Sequence, residues 1–241
     1  MCDPLLALSS MLLGGAAAYV ILSIAERMRA ADQGHLKWRW LSIGGVAAGL
    51  EIWAIHFIGN LAFCPPAPGA EDYVFTILSI VFAGAAGAVA VYLIGSPGQS
   101  QTQLVLGGLA MGVCLSLTHF TSVTSIHQSL SLQSRILPFV LSIGVIVGLG
   151  IVVVLLGAWN ITYGNWRVTE KASAMGLALS GAHFAGMIPA YGSMGVTISA
   201  PPPGIEVDLL AIVAVSLSTL LAIIDRHVTT ASSLARDAHE L

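Results

Sequence analysis

The sequence predicts an all-α membrane protein of seven transmembrane helices, arranged as three parallel two-helix repeats plus a seventh helix. Three observations carry this prediction. Only 9% of the 241 residues are charged and 56% are hydrophobic, against about 25% charged in a soluble domain. The charges lie between long apolar runs rather than within them. One short string, centred on His-Phe, recurs in every second run. A water-soluble chain of this length would need far more polar surface to cover its core, whereas lipid already solvates an apolar helix exterior.

The runs follow in order. A helix needs roughly 20 mostly apolar residues to cross hydrocarbon, and residues 5–24, 40–63, 73–94, 104–126, 136–159, 172–191 and 209–224 are the candidates. Breakers separate them: Pro65, Pro66 and Pro68, then Pro97 with Gly98, then Pro201, Pro202 and Pro203 with Gly204. The repeats are about 5–63, 73–126 and 136–191, with the seventh helix at 209–224, so residues 1–241 read as a single membrane domain with no sizeable soluble part. A signal peptide does not account for the apolar runs, since they recur to the end of the chain.

Orientation follows from the basic residues. One set of loops holds Arg27, Arg29, Lys37, Arg39, Arg167, Lys171, Arg226 and Arg236, and the other holds Arg135. The first set is expected in the cytoplasm, which puts the N-terminus outside and the C-terminus inside of an inner (plasma) membrane. The lipid bilayer is then its first partner. A formal net charge of −3 with no basic block argues against nucleic acid. Cys2, Cys64 and Cys114 have no CxxC spacing and make no zinc framework. Cys2 and Cys64 both fall on the outer side, where pairing is open to them, while Cys114 reads as a small core residue.

The second, fourth and sixth runs contain GLEIWAIHFIGNLAF, GVCLSLTHFTSVTSI and GLALSGAHFAGMIPA. Their histidines, His56, His119 and His183, stand 63 and 64 residues apart, each with a glycine seven residues earlier (Gly49, Gly112, Gly176). Two spans separate successive copies, so the motif helices run parallel and their histidines share one depth in the outer part of the bilayer. At about 100° per residue, positions −7 and +4 lie within about 40° of the histidine. The glycines therefore share its face and admit another backbone or a ligand. Asn60, Val123 and Met187 share it too, and Asn60 and Met187 carry donor atoms for a metal. A single intramembrane histidine is an ordinary hydrogen-bonding residue, but three in register, each costly in hydrocarbon, point to a shared role. Neutral imidazole suits copper, zinc and iron.

Three paired-helix repeats with this motif, and a seventh span, resemble the MHYT-domain family of bacterial integral-membrane sensors. IWAIHFIGNLAF and GAHFAGMIPA carry the resemblance best, and LTHFTSV less well. The resemblance implies copper at the motifs, sensing of oxygen, carbon monoxide or nitric oxide, and a cyclase, phosphodiesterase, kinase or DNA-binding output domain beyond the membrane part. This chain departs from the Met-His-Tyr-Thr pattern. Ile55, Thr118 and Ala182 precede the histidines, and Phe57, Phe120 and Phe184 replace the tyrosine. Of the methionines four residues on, Met187 remains and Asn60 and Val123 replace the others. The thioether-rich surroundings that suit Cu(I) are reduced accordingly.

Other residues bear on function. Glu51 is the costliest side chain of the second span, about 7.5 Å along the axis from His56 and about 140° around it. It reads either as a hydrogen-bonded bundle residue or as a proton or ion site. Ser116, Thr118, Thr121, Ser122, Thr124 and Ser125 read as interhelical glue, with a polar access route as the alternative. His127 is a loop histidine or a further ligand. Trp53, Trp159 and Trp166 read as packing or interface residues, and Pro189 as a kink or exit of the sixth span. The tail DRHVTTASSLARDAHEL is too short for an output domain. It reads as the start of a helix leading to a cytoplasmic signalling domain or partner after residue 241, or as the end of a standalone chain.

Function divides three ways on these residues. The leading expectation is a non-enzymatic sensory domain in which the histidine layer binds a metal (copper by resemblance, zinc or haem iron otherwise) and a small diatomic ligand. A zinc-dependent membrane hydrolase needs an acid or base beside the histidines, and no carboxylate shares their face. A transporter or channel suits the parallel repeats but not the lack of paired charges and midplane helix breaks.

Overall fold

The computed structural model describes residues 4–31, 34–63, 72–126, 136–159 and 168–192. These form six helices: α1 Pro4–Ala30, α2 Gly34–Phe63, α3 Tyr73–Gly95, α4 Gln101–Ile126, α5 Ile136–Trp159 and α6 Val168–Gly192. Among the described residues there is no strand. The first five helices are long and apolar enough to cross a membrane, and α6, 25 residues long, carries the third motif. The seventh span expected at 209–224, His127, Cys2, Cys64 and Trp166 lie outside the described residues.

Each helix begins or ends where its chemistry dictates. Asp72 caps α3, its carboxylate accepting from the amides of Val74 (2.9 Å) and Phe75 (3.4 Å). Ser100 and Gln103 form a reciprocal box at the start of α4, each side chain bonding the other's amide, at 3.2 and 2.8 Å. Gly98, at φ 77°, makes the left-handed turn between α3 and α4. At the basic end the helices outrun the apolar segments, so α1 continues to Ala30, α2 starts at Gly34 and α6 at Val168. Lys, Arg and Glu are good helix formers and carry the helix past the apolar run. α6 also continues beyond Pro189 to Gly192, so the exit expected at that proline does not occur.

Successive helices pack side by side and α6 returns to α1, closing a six-membered ring in which motif helices α2, α4 and α6 alternate with α1, α3 and α5. Glycines set the closest crossings. A Cβ on Gly112 would lie 2.5 Å from the Val147 backbone of α5, and one on Gly176 2.5 Å from that of Gly15 in α1. Gly49 meets the Gly84 backbone of α3 in the same way. Each motif glycine thus admits a backbone, and that backbone belongs to the next repeat around the ring.

The polarity runs opposite to that of a soluble bundle. Leu5, Leu12, Ile77, Leu137 and Leu177 are exposed, while Glu51, His56, Asn60, His119, Ser122 and His183 are buried. Lipid outside and costly polar groups inside is the distribution a membrane bundle requires.

Candidate metal centre

His56 of α2, His119 of α4 and His183 of α6 converge on one point. Their ring centroids are 5.7, 5.3 and 5.2 Å apart, all edge-on, and all three residues are at most 1% exposed. One ring nitrogen from each lies within 4.8 Å of the other two. The register of the repeats accounts for this convergence, because parallel helices with the same motif at the same depth turn the same face to the ring's centre.

The hydrogen-bonding state of the rings is uneven. His56 Nδ1 donates to the Ile52 carbonyl at 2.8 Å, which leaves its Nε2 as the acceptor nitrogen, without a partner among the described residues. The nitrogens of His119 and His183 make no well-formed hydrogen bond among the described residues, but the two rings lie against the backbone of Gly186 and Gly59. A buried polar atom without a partner costs about 1–3 kcal/mol. An ion centred among three nitrogens that all lie within 4.8 Å of one another would sit at most about 2.8 Å from each, against about 2.0–2.1 Å for a metal–imidazole bond, so each ring would need to close by no more than about 0.7 Å.

Glycines shape the seat of two of these rings. A Cβ on Gly59 would strike the His183 ring, and one on Gly186 the His119 ring. Both glycines stand three residues after a motif histidine, and Ser122 occupies the same position in α4. The signal was a small residue at +3 in all three copies, about 60° off the histidine face, where attention to −7 and +4 misses it.

The further donor candidates are buried as well. Asn60 is 0% exposed and Met187 3%. The Asn60 amide donates to Ser122 Oγ at 2.9 Å, while its Oδ1 is buried without a partner. Val123 is buried and brings no donor atom. Glu51 is completely buried in α2 and is not one of the groups gathered with the histidines.

The expected glue of α4 is confined to Ser122. Ser116, Thr118, Thr121, Thr124 and Ser125 each bond a carbonyl of their own helix, at 2.6–2.9 Å. A carbonyl three or four residues back is always within reach of a helical hydroxyl, so the local bond wins. Links between helices come instead from Ser10 Oγ to the Ile55 carbonyl (2.9 Å) and from Trp53 Nε1 to Ser79 Oγ (3.1 Å). Trp53 also stacks on Phe57 at 5.0 Å, and Phe120 and Phe184 stand edge-on to their histidines. Cys114 is a free thiol, only partly buried.

The fold and this site define a helical membrane protein with three histidines gathered at the centre of the bundle. Residues 49–107, from the first motif through α3 into α4, match the family model described as MHYT, bacterial signalling protein N terminal repeat. It is 29% identical over 248 residues to the bifunctional diguanylate cyclase/cyclic di-GMP phosphodiesterase MucR of Pseudomonas aeruginosa, covering 93% of this chain and 35% of that protein. The cyclic di-GMP phosphodiesterase NbdA of the same organism is 26% identical over 190 residues, 77% of this chain and 24% of that one. The signaling protein YkoW of Bacillus subtilis is 23% identical over 188 residues, 75% and 23% respectively. The chain thus spans about a third or less of the length of these relatives. No solved structure matches it at a significant level.

Proposed function

We propose that this chain is a membrane sensory domain that binds a transition-metal ion through His56, His119 and His183. The observation that carries the reading is the meeting of three buried imidazoles from three parallel helices, with one ring nitrogen of each within 4.8 Å of the other two. Copper is the ion the family resemblance favours, and zinc is the alternative. A bare ion suits the site better than haem, because with all three rings within 5.7 Å of one another the third stands in the plane that a porphyrin between the other two would need. Asn60 and Met187 stand one turn beyond His56 and His183, the i, i+4 relation by which one helix offers two ligands to one ion. The amide oxygen of Asn60, turned free by the bond to Ser122, offers a harder donor than a thioether.

A metal held by three imidazoles supplies an open position for a diatomic ligand such as oxygen, carbon monoxide or nitric oxide. The chain's own part is to bring the three rings together and to exclude water from them. Each ring sits on a different helix, so a change in coordination acts on α2, α4 and α6 together. A signal requires that the ligand bind two arrangements of these helices unequally. The names of the relatives support output to a cytoplasmic domain or partner that makes or breaks cyclic di-GMP.

Metal content of the purified protein tests this reading. One equivalent of copper or zinc is expected in the parent and none in the folded His56→Ala/His119→Ala/His183→Ala variant, with His119→Gln as a milder companion. Metal retained in the triple variant, or absent from the parent after reconstitution, overturns it.

A further inference from the structure

At the end of the bundle opposite the histidines, α1, α3, α5 and α6 leave a cavity of about 250 Å³. Leu22, Ile94 and Gly157 give it apolar walls, and Glu26, Arg29 and Lys171 bring charge to it. Lys171, 12 residues before His183, puts it about 18 Å along α6 from the metal centre. No group of that centre takes part.

Arg29 is held in place but only partly used. Its Nη2 donates to the Ile94 carbonyl in the last turn of α3, at 2.6 Å, which is an ordinary way to cap a helix end. Its Nε is buried and has no partner among the described residues. Lys171 comes from the first turn of α6, the positive end of that helix. Glu26, one turn before Arg29, is exposed and stays in contact with water, so it offsets the two cations only from the rim. Arg27 is engaged elsewhere, over the Trp40 ring at 5.4 Å. A guanidinium N–H and an ammonium on one cavity favour a phosphate group. The apolar walls favour a phosphate that carries a hydrocarbon chain over a free ion. Basic pockets between transmembrane helices recognise lipid headgroups on these terms.

We propose that this cavity binds the phosphodiester headgroup of an anionic phospholipid, seated on Arg29 and Lys171 with its chain against Leu22, Ile94 and Gly157. The test is native mass spectrometry of the full chain in uncharged detergent, titrated with phosphatidylglycerol, phosphatidylcholine or inorganic phosphate. One tight phosphatidylglycerol site is expected, with no matching phosphatidylcholine site. Lys171→Ala should weaken it about tenfold and Arg39→Ala, an equal charge change elsewhere at the same end, should leave it unchanged. Arg29→Gln should also weaken binding; because Arg29 also holds α3, Lys171→Ala decides if that variant fails to fold. Equal weakening by Arg39→Ala, or equal binding of phosphatidylcholine, overturns the site. Inorganic phosphate binding as tightly as the lipid, with the same loss in Lys171→Ala, overturns the lipid in favour of a free phosphate ligand.

Discussion

A methyl group at Gly59 has no room unless the ring of His183 moves, and one at Gly186 displaces the ring of His119. What gives way in both cases is the free end of a side chain, not a backbone. The cost should therefore fall on the proposed metal centre and not on the fold. Gly59→Ala is expected to lower metal affinity by about 10–100-fold, the range found when a residue that orients a ligand is changed. Its melting temperature should stay close to that of the parent. Metal titration and thermal unfolding of one preparation check both halves, and a large fall in melting temperature with unchanged affinity would refute the assignment. The histidines themselves were legible in the sequence, because their register in parallel spans already sets them at one depth. Their seats were not, because which neighbour faces position +3 depends on how α2, α4 and α6 are turned about their axes. The Asn60–Ser122 bond was hidden for the same reason.

Besides the glycines that face a side chain, the helices carry glycines that touch a backbone and glycines with open space beside them. Gly49 and Gly112 stand against α3 and α5, and a Cβ there must push whole helices apart. Gly144 and Gly148 on α5 have open space. Gly49→Ala and Gly112→Ala should each destabilise the bundle by about 1–3 kcal/mol, as overpacking does. Gly144→Ala and Gly148→Ala should be neutral or stabilise by up to about 1 kcal/mol through helix propensity. Thermal unfolding in a single detergent compares the four, and equal losses at all of them would mean that the crossings are looser than their spacing indicates. The bounds of α3, α4 and α5 were legible because apolar runs and the Pro97–Gly98 turn mark them. Those of α1, α2 and α6 were less so, since a hydropathy reading stops at the first basic residue while the helix continues through it. The hydroxyls of α4 misled in a different way: composition names a hydrogen-bonding residue but not whether its partner is local or across a helix.

Across the whole molecule the ring has two unlike ends, and the direction of the signal depends on which of them faces the cytoplasm. One end carries the histidine layer, near the C-termini of α2, α4 and α6. The other carries Arg27, Arg29, Lys37, Arg39 and Lys171, near the C-terminus of α1 and the N-termini of α2 and α6. The excess of basic residues predicts that this second end faces the cytoplasm, in which case a ligand would reach the histidines from outside and helix movements would be read inside. Labelling single cysteines in a cysteine-free background decides the matter. Pro97→Cys, in the exposed turn between α3 and α4, should react with a membrane-impermeant maleimide only after the cells are opened. Tyr73→Cys, at the exposed start of α3, should react on intact cells. The reverse pattern would put the metal centre on the cytoplasmic half, leave the basic end outside, and turn an outward-facing sensor into one that samples the cell interior.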